Sequence, residues 1–503
     1  PRPLTLEEIE EMIQDFAEGT RRARDAGFDM VEYQASTATI IGQFLSPLTN
    51  RRTDGYGGDI EGRMRFLLDI IDAGRKKVGP DYALITRISG SDFMEGGHTL
   101  EEVKVMAPIL ERVGMQALDV TTGWHEAPVP FIQMAVPRGA WVYLGETIKK
   151  LVNIPVIGGT RVNDPIMAEE IIAQGSLDMV YMGRPLIADP ELPNKAREGR
   201  FEDICPCTAC CHCFDGAAEA LECVVNPRAG RELEYTIEPA KDPKRVFVIG
   251  GGPGGMEATI VASQRGHKVT LYEKGDTLGG QLLIASLPPY KEELPYYTRY
   301  LVRQVEKSGA EVMLNTEVTA RDIVDAGPDA VIVATGGVPI IPDIAGVSGD
   351  NVVTAEEVLT GQKEVGDRVI IVGGGLIGCE TAEFLAERGK KITILEMLDR
   401  IGSDIGRTTR WTVLQRMRSA QIQMETRTRV VEITEKGVLA EREGAAGFFE
   451  GDSVVLAVGM KSENRLAKEL EGKVPELHII GDADKHRRII DATHEGFRIA
   501  REI

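Results

Sequence analysis

"RVFVIGGGPGGMEATIVASQRGHKVTLYEK" (residues 245–274) runs apolar strand, glycine-rich turn, helix, and a second strand that ends in an acid. Gly250, Gly252 and Gly255 make G-x-G-x-x-G, and Glu273 closes the second strand. Glycines let the backbone turn tightly and approach a pyrophosphate, whose charge the helix N-terminus favours; the acid accepts ribose hydroxyls. The pattern recurs as "RVIIVGGGLIGCETAEFLAERGKKITILEM" (368–397), with Gly373, Gly375, Gly378 and Glu396 at the same intervals. One such turn is weak evidence, whereas two in strand–turn–helix–strand context predict two Rossmann-like dinucleotide-binding folds. Glu396 repels a 2′-phosphate, so the second fold disfavours NADPH.

Upstream, short apolar strands alternate with helical patterns. "FDMVEYQ" (28–34), "ALITRIS" (83–89), "ALDVTTG" (117–123), "IPVIGGT" (154–160) and "DMVYMGR" (178–184) read as strands. Strand–helix alternation predicts a parallel α/β sheet. Five units match the C-terminal part of a (β/α)8 barrel, with about three units expected to precede them; a five-stranded open sheet is the rival. The chain opens on "TLEE" (5–8), a capping box for a helix carrying Ile9, Ile13, Phe16 and Ala17. Strand alternation turns Tyr33 away from the face that carries Gln34.

Between these halves lies "CPCTACCHCFDGAAEALEC" (205–223), which holds six of the seven cysteines. Cys207, Cys210 and Cys213 are spaced C-x2-C-x2-C, and Cys223 follows. Four thiolates hold a [4Fe–4S] cluster or a zinc ion. Spacing does not decide between them; the dinucleotide-binding folds next door favour the electron carrier. Cys205 and Cys211 are extra sulfurs, and either is able to replace an assigned ligand. Cys379 stands alone in a helix and is expected to pack. A disulfide framework would spread its cysteines over a small domain, so this concentration points to a reducing compartment.

Composition narrows the function. The net charge of −20 opposes a nucleic-acid surface. No apolar run of ~20 residues is present to span a membrane, and the start is not signal-like. A cytoplasmic enzyme acting on a small molecule is expected, with a homo-oligomer compatible. The expected divisions are a partial barrel (1–203), the cysteine loop and a charged Pro-containing linker (204–240), and a first dinucleotide fold (241–362). A second fold (363–460) and a return segment to the first (461–503) complete the chain.

The two-fold arrangement, with "LGGQL" (278–282), "VIVATGG" (331–337) and "LHIIGDAD" (477–484), resembles the disulfide-reductase-like flavoproteins. That resemblance implies FAD in the first fold, with Gln281, Gly481 and Asp482 beside it. The whole chain further resembles the Old Yellow Enzyme-related iron–sulfur flavoproteins: 2,4-dienoyl-CoA reductase, 2-enoate reductases and trimethylamine dehydrogenase. "FLSPLTNRRTDGYGGDIEGRMRFLLDII" (44–71), "TTGWHEAPVP" (121–130), "YMGRPLIADPELPNKAREGR" (181–200) and "CVVNPRAG" (223–230) carry the likeness. It implies FMN in the barrel, with Arg87 near flavin N1/O2. The FMN phosphate would lie on Gly158, Gly159, Thr160, Gly183 and Arg184. His125 would sit at the substrate carbonyl or in proton delivery. Gln34, Thr37 and Thr39 stand where relatives carry other polar residues, and Thr39 replaces a proton-donating tyrosine. The activity implied is NADH-dependent reduction of an activated C=C bond, with electrons passing through FAD, [4Fe–4S] and FMN. An amine dehydrogenase or demethylase and an NADH diaphorase are the alternatives.

Overall fold

The computed structural model describes residues 2–216 and 219–503. The chain divides into two compact units after Gly183.

In the first unit, Thr5 and Glu8 form the expected reciprocal cap on helix Leu6–Asp25, which buries Ile9, Ile13 and Ala17. Five strands follow: β1 (Met30–Ala35), β2 (Ala83–Ser89), β3 (Ala117–Thr121), β4 (Val156–Gly158) and β5 (Met179–Val180). They pair in chain order, every pair parallel. The last two are shorter than the apolar runs that announced them. Pro155 lacks a ladder donor, and Gly159 begins a turn in which a Cβ would lie 2.3 Å from the Tyr181 carbonyl. Tyr33 is buried on the side opposite Gln34, with its hydroxyl 2.9 Å from that of Thr20. Helix Ile60–Val78, capped by Asp59, lays Phe66, Leu67 and Ile70 into the same core.

The second unit holds two parallel sheets. One contains β6 (Arg245–Ile249), β7 (Lys268–Tyr272), β8 (Glu311–Met313) and β9 (Ala330–Val333). Strand Glu476–Ile479 returns beside β9, giving the order 476–479, β9, β6, β7, β8. The other runs 352–354, 453–456, 368–372, 391–395, 423–425. The last four strands of the two orders correspond one to one, which is the structural form of the sequence repeat. The second sheet recruits 352–354, upstream of the boundary expected at 363. A three-stranded antiparallel sheet (428–450) follows it.

The stretch expected to be a linker is anchored at a few points. Val225 and Ala229 are buried, and Tyr235 stacks on Phe497 with ring centroids 5.6 Å apart. These few apolar residues reach the core of the first dinucleotide fold, while the charged residues around them stay exposed. Among the described residues no helix is long and apolar enough to cross a membrane.

Candidate functional site

The first dinucleotide turn is built as its glycines require. Gly250 has φ +112°, and a Cβ there would lie 2.3 Å from the Ala334 carbonyl oxygen. A Cβ on Gly255 would lie 1.9 Å from the oxygen of Gly250, so helix Pro253–Gln264 sits hard against its own turn. Gly252 instead faces open space, with nothing within 4 Å of a built Cβ. That opening at a helix N-terminus fits a pyrophosphate. Glu273 accepts from the N–H groups of Gly251 and Gly275, both at 2.7 Å, and so lies beside the turn. Asp482, on the returning chain, accepts from the Arg487 N–H at 2.9 Å and from His486. That hydrogen bond raises the His486 pKa. Gly481 is left-handed (φ +60°), and Gln281 opens helix Gln281–Ala285.

The second turn repeats these contacts. Gly373 has φ +105° and packs 2.3 Å from the Ala457 oxygen, measured to a built Cβ; Gly378 packs 2.0 Å from Gly373. Glu396 accepts from Gly374 at 2.6 Å and from Leu398 at 2.7 Å. At Gly375 the space is taken by Asp404. Cys379 is fully buried in its helix and packs, as expected.

The cysteines gather around Cys210. Its thiol acts electrostatically on Cys207, Cys211, Cys213 and Cys223. Left-handed backbone at Ala209 (φ 51°) and Cys211 (φ 64°) winds the segment back on itself. Burial pushes the Cys213 thiol up to about 11 and those of Cys211 and Cys223 up to about 12. Arg184 opposes the rise at Cys211 and Cys213; its guanidinium lies 3.7 Å from the Cys211 sulfur. None of the seven cysteines forms a disulfide. Among the described residues no group of three or more His, Cys, Asp or Glu side chains is set to hold a metal ion. The donor set fits a thiolate-bound group, because metal bonding offsets the cost of ionising buried thiols. Cys205 is buried with its sulfur against the Val225 carbonyl at 3.5 Å, and it acts electrostatically with Cys223.

In the first unit, Gln34, Arg87 and Asp119 form one cross-strand row over β1, β2 and β3. Arg87 donates to Asp119 through Nε at 2.9 Å, lies 3.6 Å from Glu32, and caps the Tyr181 ring at 4.7 Å. Asp119 is buried, and burial raises its pKa to about 7 against the pull of Arg87. Tyr181 and Thr160 share a hydrogen bond of 2.7 Å at the end of β4, beside Gly158 and Gly159. Gly183 has open space around it. Gly183 and Arg184 fall on opposite sides of the division between units.

The other expected residues are dispersed. Thr37 is left-handed (φ 51°) in the turn after β1. Thr39 donates to the carbonyls of Gln34 and Ser36 at 2.8 and 2.9 Å, so its hydroxyl holds that turn. His125 is exposed in a turn beyond β3. Sequence reasoning missed Asp119 and Glu32. Their signal was present: a charged residue inside an apolar parallel strand is costly unless it is paired.

Comparison with known proteins agrees with this geometry. Residues 1–203 match the NADH:flavin oxidoreductase / NADH oxidase family, and residues 244–486 match the pyridine nucleotide-disulphide oxidoreductase family. A metal reductase of Desulforamulus reducens is 43% identical over 99% of this chain and 80% of its own length. A cinnamate reductase of Clostridium sporogenes is 34% identical over 100% of this chain and 78% of its own. The solved 2-naphthoyl-CoA reductase in complex with 2-naphthoyl-CoA has a TM-score of 0.97 and 38% identity. It matches 100% of this chain and 77% of that one. An FMN-type parallel sheet followed by a doubled dinucleotide module thus runs through the whole chain. The protein belongs to the 2,4-dienoyl-CoA reductase-type family of NADH-dependent flavin oxidoreductases, related to Old Yellow Enzyme.

Proposed function

We propose that this oxidoreductase reduces the C=C bond of an α,β-unsaturated carbonyl compound: an enoate, an enoyl-CoA or an enone. When bound, its cofactors would supply the path from NADH through FAD, [4Fe–4S] and FMN to the alkene. The observation that carries the reading is the Gln34–Arg87–Asp119 row. It sets an amide donor beside a fixed cation on one face of a barrel-type sheet. Arg87 there favours a flavin that becomes anionic on reduction, and Asp119 fixes the guanidinium. The Gln34 amide is able to donate to a substrate carbonyl oxygen and polarise the conjugated alkene. Thr39 holds the loop, so the proton comes from His125, from solvent or from a residue outside this sequence. The cinnamate and 2-naphthoyl-CoA reductases support the same substrate class.

The reading is tested by anaerobic titration with NADH, followed by a panel of enoates, enoyl-CoAs and enones. NADH is expected to bleach the visible flavin bands, and one alkene is expected to restore them. Bleaching that no alkene reverses would overturn the reading. One observation favours a second assignment, oxidation of an amine. The Thr39 hydroxyl is committed to two carbonyls, and removal of hydride from an amine needs no proton donor at that place. Tertiary amines are then the next substrates.

The metal assignment makes a separate prediction. Serine at Cys207, Cys210, Cys213 or Cys223 is expected to remove most of the iron, from about four atoms per chain. Serine at Cys205 is expected to leave it. Iron analysis of the purified variants checks both.

A further inference from the structure

The two dinucleotide folds repeat each other, and they differ at the N-terminus of the helix that follows each glycine-rich turn. In the first fold Gly279 donates to the Gly251 carbonyl at 2.9 Å, and in the second Gly402 donates to Gly374 at 2.6 Å. The register continues from these bonds. Gln281 of the first fold therefore corresponds to Asp404 of the second, and Pro253 to Leu376.

In the first fold the helix begins with a proline, which has no N–H, and its partner position carries a neutral amide. In the second fold the Leu376 N–H points at Asp404 and donates to both carboxylate oxygens, at 2.9 and 3.1 Å. A Cβ on Gly375 would lie 3.1 Å from the same carboxylate. The helix it caps, Leu376–Ala386, follows the glycine-rich turn directly. This is where a pyrophosphate would meet the helix N-terminus. Two anions cannot share that place without strong repulsion.

We propose that Asp404 is an affinity-setting residue of the nicotinamide site, a carboxylate that occupies the pyrophosphate position and is displaced when the dinucleotide binds. The proposal rests on the reading that the second fold binds the nicotinamide dinucleotide. Asp404 is solvent-exposed, so displacing it exchanges one capping bond for water. Its main chain stays anchored, because the Asp404 carbonyl accepts from Arg488 at 3.3 Å. The side chain is thus able to swing while the loop holds. Such a residue weakens binding of NADH and of NAD+ alike, and it speeds product release.

The test is equilibrium binding of NAD+ to the oxidised holoprotein, followed by calorimetry. Asp404→Asn keeps the shape and removes the charge; Asp404→Gln copies the first fold. Both are expected to lower the Kd about tenfold and to flatten its dependence on salt. An unchanged or raised Kd in both variants overturns the proposal. If the asparagine variant loses its FAD or its thermal stability, the glutamine variant decides. Gly378→Val is the control on the underlying reading, since its side chain collides with Gly373 and closes only the second turn. If that variant keeps its FAD and binds NAD+ normally, the dinucleotide does not use the second fold, and the reading and the proposal fail together. If it loses NAD+ binding while the Asp404 variants bind like wild type, only the proposal fails.

Discussion

Gly255→Ala is expected to give a protein purified nearly free of FAD. The added Cβ would lie 1.9 Å from the Gly250 oxygen and 3.3 Å from the Ala334 side chain. Neither neighbour is a flexible side-chain end, so the turn itself has to move. Forcing a methyl group into packed structure costs about 1–3 kcal/mol. Taken from cofactor binding, that weakens FAD roughly 5- to 150-fold. Gly252→Ala separates the turn from its ligand. Its Cβ meets nothing within 4 Å, so the cofactor-free fold is expected to melt at the wild-type temperature. Its FAD binding is nevertheless expected to fall, because the Cβ enters the space the pyrophosphate would take. Flavin content and thermal midpoints of both variants check this. A Gly255→Ala protein carrying full FAD would show that the helix does not need to sit so close.

At pH 8, where Asp119 is ionised, Asp119→Ala is expected to destabilise the first unit by about 2 kcal/mol. Removing one partner of a buried ion pair costs about 3–5 kcal/mol. Here 28% of the Arg87 side chain is exposed, and Glu32 remains 3.6 Å away, so the loss is smaller. The pH dependence has a definite sign. In the folded chain the Asp119 pKa is raised to about 7, above the unfolded value of ~3.9. Between those values the folded state holds a proton that the unfolded state has released. Asp119 therefore contributes stability below about pH 4, and that contribution is lost as pH rises to about 7. Asp119→Asn is expected to flatten this slope and to keep most of the packing. Urea melts of the first unit's own transition at pH 5 and pH 8 check both statements. A slope unchanged in the asparagine variant would show that another group titrates in the window.

Local chemistry made much of this protein legible in one dimension. Both dinucleotide turns follow from glycines at fixed spacing. Only a residue without Cβ fits where Gly250 meets Ala334 or Gly255 meets Gly250. The capping box at Thr5 and the five parallel strands follow from equally local rules. The strand ends did not, because β4 and β5 are cut short by a proline and a turn that the apolar pattern does not register. The stretch after the cysteines looked like a linker because charge and proline dominate its composition, but the burial of Val225 and the stacking of Tyr235 on Phe497 depend on a surface hundreds of residues away in the chain.

The sequence by itself determined which residue types were available for the chemistry: four spaced thiols, two acids closing two Rossmann-like strands, and an arginine in a barrel strand. Tertiary structure alone decided what those side chains face. It set Asp119 and Glu32 around Arg87, committed the Thr39 hydroxyl to the backbone, left His125 in solvent, and brought Asp404 to the amide of Leu376. Hydrogen bonding and charge pairing act over a few ångströms in space, and residues 28 or 32 positions apart meet only when the chain folds them together.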